Sequence, residues 1–96
     1  MSSDVSKKTK KKPLPFAVGR VFWRMIPRRG YVRHEVRAFV DDRFVFRYWS
    51  VRGGGRWVYD VEPTFVWDIW TSPPSTIFFD ANRAQSETKK WKAARL

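Results

Sequence analysis

Phe44-Val45-Phe46-Arg47-Tyr48-Trp49-Ser50-Val51 is followed by Arg52-Gly53-Gly54-Gly55 and then by Arg56-Trp57-Val58-Tyr59-Asp60-Val61. The flanking runs are aromatic and β-branched and alternate with period two, which is the pattern of a half-buried strand. Phe44, Phe46 and Tyr48 fall on one face, and Val45, Arg47, Trp49 and Val51 on the other. Trp57, Tyr59 and Val61 alternate in the same way against Val58 and Asp60. Three consecutive glycines between the runs supply the positive φ that a tight reversal needs, so residues 44–61 predict a β-hairpin.

The same logic extends toward the N-terminus. Residues 31–40 predict a strand with Val32, His34, Val36, Ala38 and Val40 turned inward and Arg33, Glu35 and Arg37 outward. Asp41-Asp42-Arg43 turns the chain into the hairpin. Residues 16–26 predict an earlier strand, with Val21, Trp23 and Met25 on one face and Arg20, Phe22 and Arg24 on the other. Pro27-Arg28-Arg29-Gly30 is turn chemistry, since Pro presets φ and Gly tolerates positive φ. Four strands joined by short turns predict a mostly β fold, a small antiparallel meander sheet or an SH3- or OB-like barrel of four to six strands. Beyond Glu62-Pro63, residues 64–71 alternate through Phe65, Trp67 and Ile69 and are read as a strand, although Phe65, Val66, Ile69 and Trp70 also share a helical face. Residues 76–79 predict a short strand. Asp80 or Asn82 can cap a short C-terminal helix running to about Arg95.

The two cations are segregated along the chain. All eight lysines precede Pro13 or follow Thr88, whereas ten of the twelve arginines lie from Arg20 to Arg56. The organisation expected is a Lys-rich disordered arm over 1–15, a compact Arg- and aromatic-rich domain over 16–82, and a basic helix or tail over 83–96. Net charge is +11, which attracts polyanions. Sixteen of the seventeen aromatic residues lie between 13 and 82. A domain this small buries only about 60% of its unfolded surface, so several rings are expected outside the core.

There is no cysteine, which excludes disulfides, thiol catalysis and Cys-ligated zinc. With no secretory h-region and no long apolar run, an intracellular protein without a membrane segment is expected.

Arg20/Arg24, Arg33/Arg37, Arg43/Arg47 and Arg52/Arg56 are each spaced by four, which in a strand places both members on one face. Aligned across the sheet, Arg20, Arg24, Arg33, Arg37 and Arg47 would form a ladder, extended by Arg28, Arg29, Arg52 and Arg56 at the turns. Phe22, Tyr31, Trp49 and Trp57 would be interleaved as stacking or interface rings. Guanidinium groups pair with phosphates and aromatic faces stack on unpaired bases. Lys10, Lys11 and Lys12 in the arm would add phosphate contacts, as would Lys89, Lys90 and Lys92 on the helix, where Trp91 is a further stacking or interface ring or docks the helix onto the sheet.

Other signals are ordinary. His34 sits on an inward position without a catalytic partner in the pattern, and Asp41-Asp42 is a turn former rather than a metal site. The triple glycine lacks the Lys-Ser/Thr of a nucleotide-binding loop. The rings of 57–70 among Asp60, Glu62 and Asp68 fit a core better than a cation cage. No RNP-type motif, KH loop or zinc finger is present. No catalytic constellation, cofactor site or metal site is expected. The sequence therefore points to a non-enzymatic nucleic-acid-binding accessory or structural subunit of a larger nucleoprotein assembly, with RNA favoured over DNA. The competing reading is a protein–protein module or inhibitor that docks on an acidic protein surface through Arg and Trp hot spots.

Overall fold

The computed structural model describes residues 16–95; Lys10, Lys11 and Lys12 and the rest of the expected arm lie outside them. The elements are β1 (Val21–Ile26), β2 (Gly30–Val40), β3 (Arg43–Ser50), a 3-10 turn (Arg52–Gly54), β4 (Arg56–Pro63), α1 (Phe65–Thr71), β5 (Ile77–Phe78) and α2 (Ala81–Arg95). The strands form one antiparallel sheet in the order β4-β3-β2-β1-β5. This is the meander expected from the turn chemistry, with β5 added beside β1 and the C-terminal helix behind it. β4 and β5 are the sheet's edges, so it is open rather than closed into a barrel.

The sheet is sandwiched unevenly between the two helices. Phe22, Val36, Phe44 and Phe46 point from β1, β2 and β3 to one face and are fully buried there. α1 covers that face with Trp67, whose ring lies 5.4 Å from Phe22 and 6.1 Å from Phe44, and with Trp70, 5.8 Å from Phe44 and 5.9 Å from Phe46. Phe16, just ahead of β1, stacks on Trp67 at 4.4 Å and 8°. The opposite face carries Trp23, Phe78 and Tyr31, and α2 approaches on this side. Arg83 of α2 lies over Phe78 at 5.1 Å, and Ala84 is buried. Ala84, Glu87, Thr88 and Trp91 are the more sheltered positions of α2.

Two expectations are corrected. Residues 65–71 form a helix, not a strand. Its outer face is Phe65, 63% exposed, and Ile69, 61% exposed, while Trp67 is buried. As a strand, Trp67 and Trp70 would point to opposite sides, and only one could reach the core. As a helix, positions i and i+3 share a face and both roof it. The period-two alternation of Phe65, Trp67 and Ile69 was incidental to this demand.

The second correction concerns β1. The register Phe22↔His34 and Arg24↔Val32 puts Arg20, Phe22 and Arg24 on the core side. Phe22 is 0% exposed and cannot serve as a stacking surface for a ligand. Arg20 and Arg24 instead form the rim of the core. Arg24 lies 4.6 Å over Trp70 and 5.7 Å from Phe46, and Arg20 lies 4.3 Å over Phe79. These are cation–π contacts, worth about 0.5–2 kcal/mol each according to their exposure.

His34 is fully buried in this aromatic layer, stacked on Phe22 at 5.1 Å and beside Tyr48 at 4.9 Å. Its Nδ1–H donates to the Val32 carbonyl at 2.7 Å, which fixes the tautomer. Burial lowers its pKa to about 4, and Arg24 and Arg29 push in the same direction against the pull of the Val32 bond. The side chain is therefore neutral at pH 7. Between pH 6.5 and 4 the unfolded chain binds a proton that the folded chain refuses, so stability falls as pH falls through that window. Unfolding by urea is expected to lose about 2 kcal/mol between pH 7 and 5, a loss that His34→Gln removes. An equal slope in both proteins would show that His34 is not the group responsible.

Candidate nucleic-acid interface

The sheet is built from two hairpins that do not stay together. Pairing between β1 and β2 continues to Ile26↔Gly30, and pairing between β3 and β4 continues to Ser50↔Arg56. Pairing between β2 and β3 stops at His34↔Tyr48. Beyond that pair the strands diverge, and the sheet ends in a split. One lip is the β1–β2 turn with residues 26–33, and the other is residues 48–57 of the β3–β4 hairpin.

The groups that strand pairing would have used are met in other ways. Val36 exchanges backbone bonds with Gly19 and Arg20 on the β1 side, at 2.8 and 2.9 Å. By strand alternation, the N–H of Tyr31 then points toward β3. It donates to Oγ1 of Thr88 in α2 at 2.9 Å. On the other lip, the Trp49 carbonyl accepts from Nη1 of Arg29 at 2.9 Å. Thr88 thus takes a place that a neighbouring strand would fill, and Arg29 bridges the gap. Gly30 allows Thr88 this close, because any Cβ there would collide with the threonine side chain.

Two cavities open in the split. The smaller, about 350 Å³, is lined by Arg29, Tyr31, Val32, Arg33, Trp49 and Trp57. The larger, about 510 Å³, is lined by residues that include Arg28, Arg29, Tyr48, Ser50 and Arg52. Arg29 is common to both. Residues 27–33 and 48–57 contain five arginines, Arg28, Arg29, Arg33, Arg52 and Arg56, and no acidic residue. None of the five forms an ion pair among the described residues.

Arg20, Arg24, Arg37 and Arg47 are engaged elsewhere, so the continuous ladder is not formed. Arg20 and Arg24 face the core rim. Arg47 is clamped on the opposite face: Nε and Nη2 donate to Oε1 of Glu35 at 3.3 and 3.2 Å, and Nη1 donates to the Tyr59 hydroxyl at 3.1 Å. The Tyr59 bond is the chief cause of a raised Arg47 pKa. Arg37 reaches the same Glu35 at 3.6 Å. Arg43 pairs across to Pro63 at the far end of the sheet, beside Asp41 and Asp42. Glu87 on α2 holds Lys90 at 3.5 Å and Arg83 at 3.9 Å, while Lys89 and Lys92 are exposed.

The ring residues divide similarly. Trp49 and Trp57 are 45% and 42% exposed and pack edge to face at 5.1 Å. The Arg47 guanidinium lies 3.7 Å over Trp57 and holds that ring in place. Gly55 passes under Trp49 so closely that a Cβ there would stand 2.7 Å from the indole. Tyr31 borders the smaller cavity and touches Phe78 edge to face at 4.9 Å. Trp91 is half-buried on α2, away from both cavities. Tyr59 and Val61 continue the exposed apolar row along β4. At that edge the Val61 N–H is taken by the Asp60 carboxylate at 2.8 Å. The split itself was not anticipated from the sequence.

Among the described residues no group of three or more His, Asp or Glu side chains is placed to hold a metal. No helix there is long and apolar enough to cross a membrane.

Arg28 carries a φ of 75°, in the left-handed region that costs a non-glycine residue about 1–2 kcal/mol. Its side chain is presented at the split against that cost. Arg28→Gly is expected to raise stability by about 0.5–1 kcal/mol in a denaturant titration, the relief being partly offset by the freer unfolded chain. A destabilised variant would show that the Arg28 side chain holds the turn.

No family model, curated protein or solved structure matches this chain.

Proposed function

We propose that this protein is a non-enzymatic nucleic-acid-binding subunit of a nucleoprotein assembly, and that it holds its polyanion at the split end of the sheet. One observation carries the reading. Five arginines with no ion-pair partner among the described residues share the split end of the sheet with two exposed tryptophans, in segments that contain no acid. Of the other sheet arginines, Arg37 and Arg47 are spent on Glu35, and Arg20 and Arg24 lie over the rings of Phe79 and Trp70. Arginine forks bind phosphate in a bidentate manner, and exposed indoles stack on bases. RNA is favoured over DNA because single-stranded RNA presents unstacked bases to such rings. The Lys-rich arm and the exposed Lys89 and Lys92 add charge without shape.

A second reading keeps the same residues as anchors on an acidic protein. It is favoured by the apolar row of Trp57, Tyr59 and Val61, which runs along β4 away from the arginine cluster. Salt separates the two. A contact made of phosphates weakens linearly in log salt, whereas an interface built on buried rings responds far less.

The test replaces Arg28, Arg33, Arg52 and Arg56 together by Ser. Against a labelled single-stranded RNA, the slope of log affinity on log salt is expected to fall by about 3, since each phosphate contact on a single strand contributes about 0.7. Arg20→Ser with Arg24→Ser is expected to lower the melting temperature and leave that slope unchanged. A folded quadruple variant with the parent's slope would overturn the assignment.

A further inference from the structure

We infer that the smaller cavity of the split is a slot for one unpaired nucleotide of a single strand, with the base against Trp57 and Trp49 and its phosphate on Arg33 and Arg29. This rests on the nucleic-acid reading above and narrows it from a polyanion to a strand with a free base.

Size is the first argument. A volume of about 350 Å³ is at the small end of sites that take discrete ligands. It is of the scale of one nucleotide rather than of two. A duplex could touch the arginines of the two lips but could place nothing in the cavity without unstacking.

The lining gives the second argument. Two half-exposed indoles, a tyrosine and Val32 supply apolar, π-rich walls, and Arg29 and Arg33 supply cations at the same opening. A base with its phosphate has this division into a flat apolar part and an anionic part. An acidic peptide side chain offers the charge without the flat ring.

Preorganisation is the third. Trp57 is held by Arg47 at 3.7 Å and by Trp49 at 5.1 Å, and Arg47 is itself tied to Glu35 and Tyr59. The ring therefore loses little freedom when it stacks on a ligand. The lips are kept apart in the free protein, because Thr88 already satisfies the Tyr31 N–H that would otherwise draw β3 in. Arg29 spans the gap from one nitrogen and keeps further N–H groups for a phosphate.

The experiment uses the full chain and fluorescence anisotropy with three labelled probes of equal length: an oligouridylate, its deoxy counterpart and a blunt RNA duplex. Trp57→Leu keeps an apolar side chain but removes the π face, and Trp57→Phe restores a ring. Melting curves identify variants that stay folded. Trp57→Leu is expected to lose about tenfold in single-strand affinity, within the range of one lost stack, with duplex affinity and salt slope unchanged. Trp57→Phe is expected to recover most of the loss. Binding of both the ribo and the deoxy strand supports the slot through base and phosphate alone; a ribo preference supports it with an added contact to the 2′-hydroxyl.

Folded Trp57→Leu with the parent's affinity, or with the same loss on duplex, overturns the slot while the arginine result decides the broader reading. If no probe binds the parent even at low salt, both fall.

Discussion

The ring of Trp67 is the contact on which the rest of the structure depends. It stacks on Phe16 from the chain's entry, meets Phe22 of β1 and Phe44 of β3 edge-on, and touches Phe79 after β5 at 5.7 Å. A sheet of this size has too little aliphatic material for a deep core. One large ring, delivered by a helix of about two turns, closes the inner face instead. Because the resulting core is a thin layer of aromatic rings, its rim is made of ring faces. Arginine rather than lysine suits that rim, since a planar guanidinium lies flat on an aromatic face. Arg20 and Arg24 therefore serve the fold, although their spacing matches that of arginines which face outward.

The distribution of acids then decides which cations stay available. Glu35 alone engages Arg37 and Arg47, and Glu87 engages Arg83 and Lys90. Asp60 turns to the backbone of its own strand and covers a donor on the open edge of β4, which is how edge strands discourage unwanted pairing. Among the described residues no carboxylate forms an ion pair at the split. The surplus of positive charge visible in the composition is thus concentrated by subtraction at one end of the sheet.

Much of this architecture was legible in the sequence. The alternation from Phe44 to Val61 with its triple glycine gave the hairpin, the turns at Pro27–Gly30 and Asp41–Asp42 gave the meander, and the capped basic tail gave α2. Three features were not legible, each for a physical reason. Alternation defines two faces but does not say which is buried, so Phe22 between Arg20 and Arg24 reads as polar until its register with His34 is known. Residues 65–71 satisfy both periods, and only the need to bring Trp67 and Trp70 to one side selects the helix. The parting of β2 from β3 has no local signature at all. Tyr31–Arg33 and Trp49–Val51 have the same β-forming composition as the paired segments, and the Tyr31 N–H is taken instead by a threonine 57 residues further along the chain.

That distance has a consequence for how the molecule comes into being. Each hairpin closes through neighbours in sequence and can form early, whereas the Thr88 spacer belongs to the last helix of the chain and requires a long loop to close first. The shape of the split is accordingly a late acquisition. Synthesis must pass Thr88 before the two lips are set at their final separation, so a chain that stops short of α2 carries most of the arginines but not the geometry that gives them a shape to recognise.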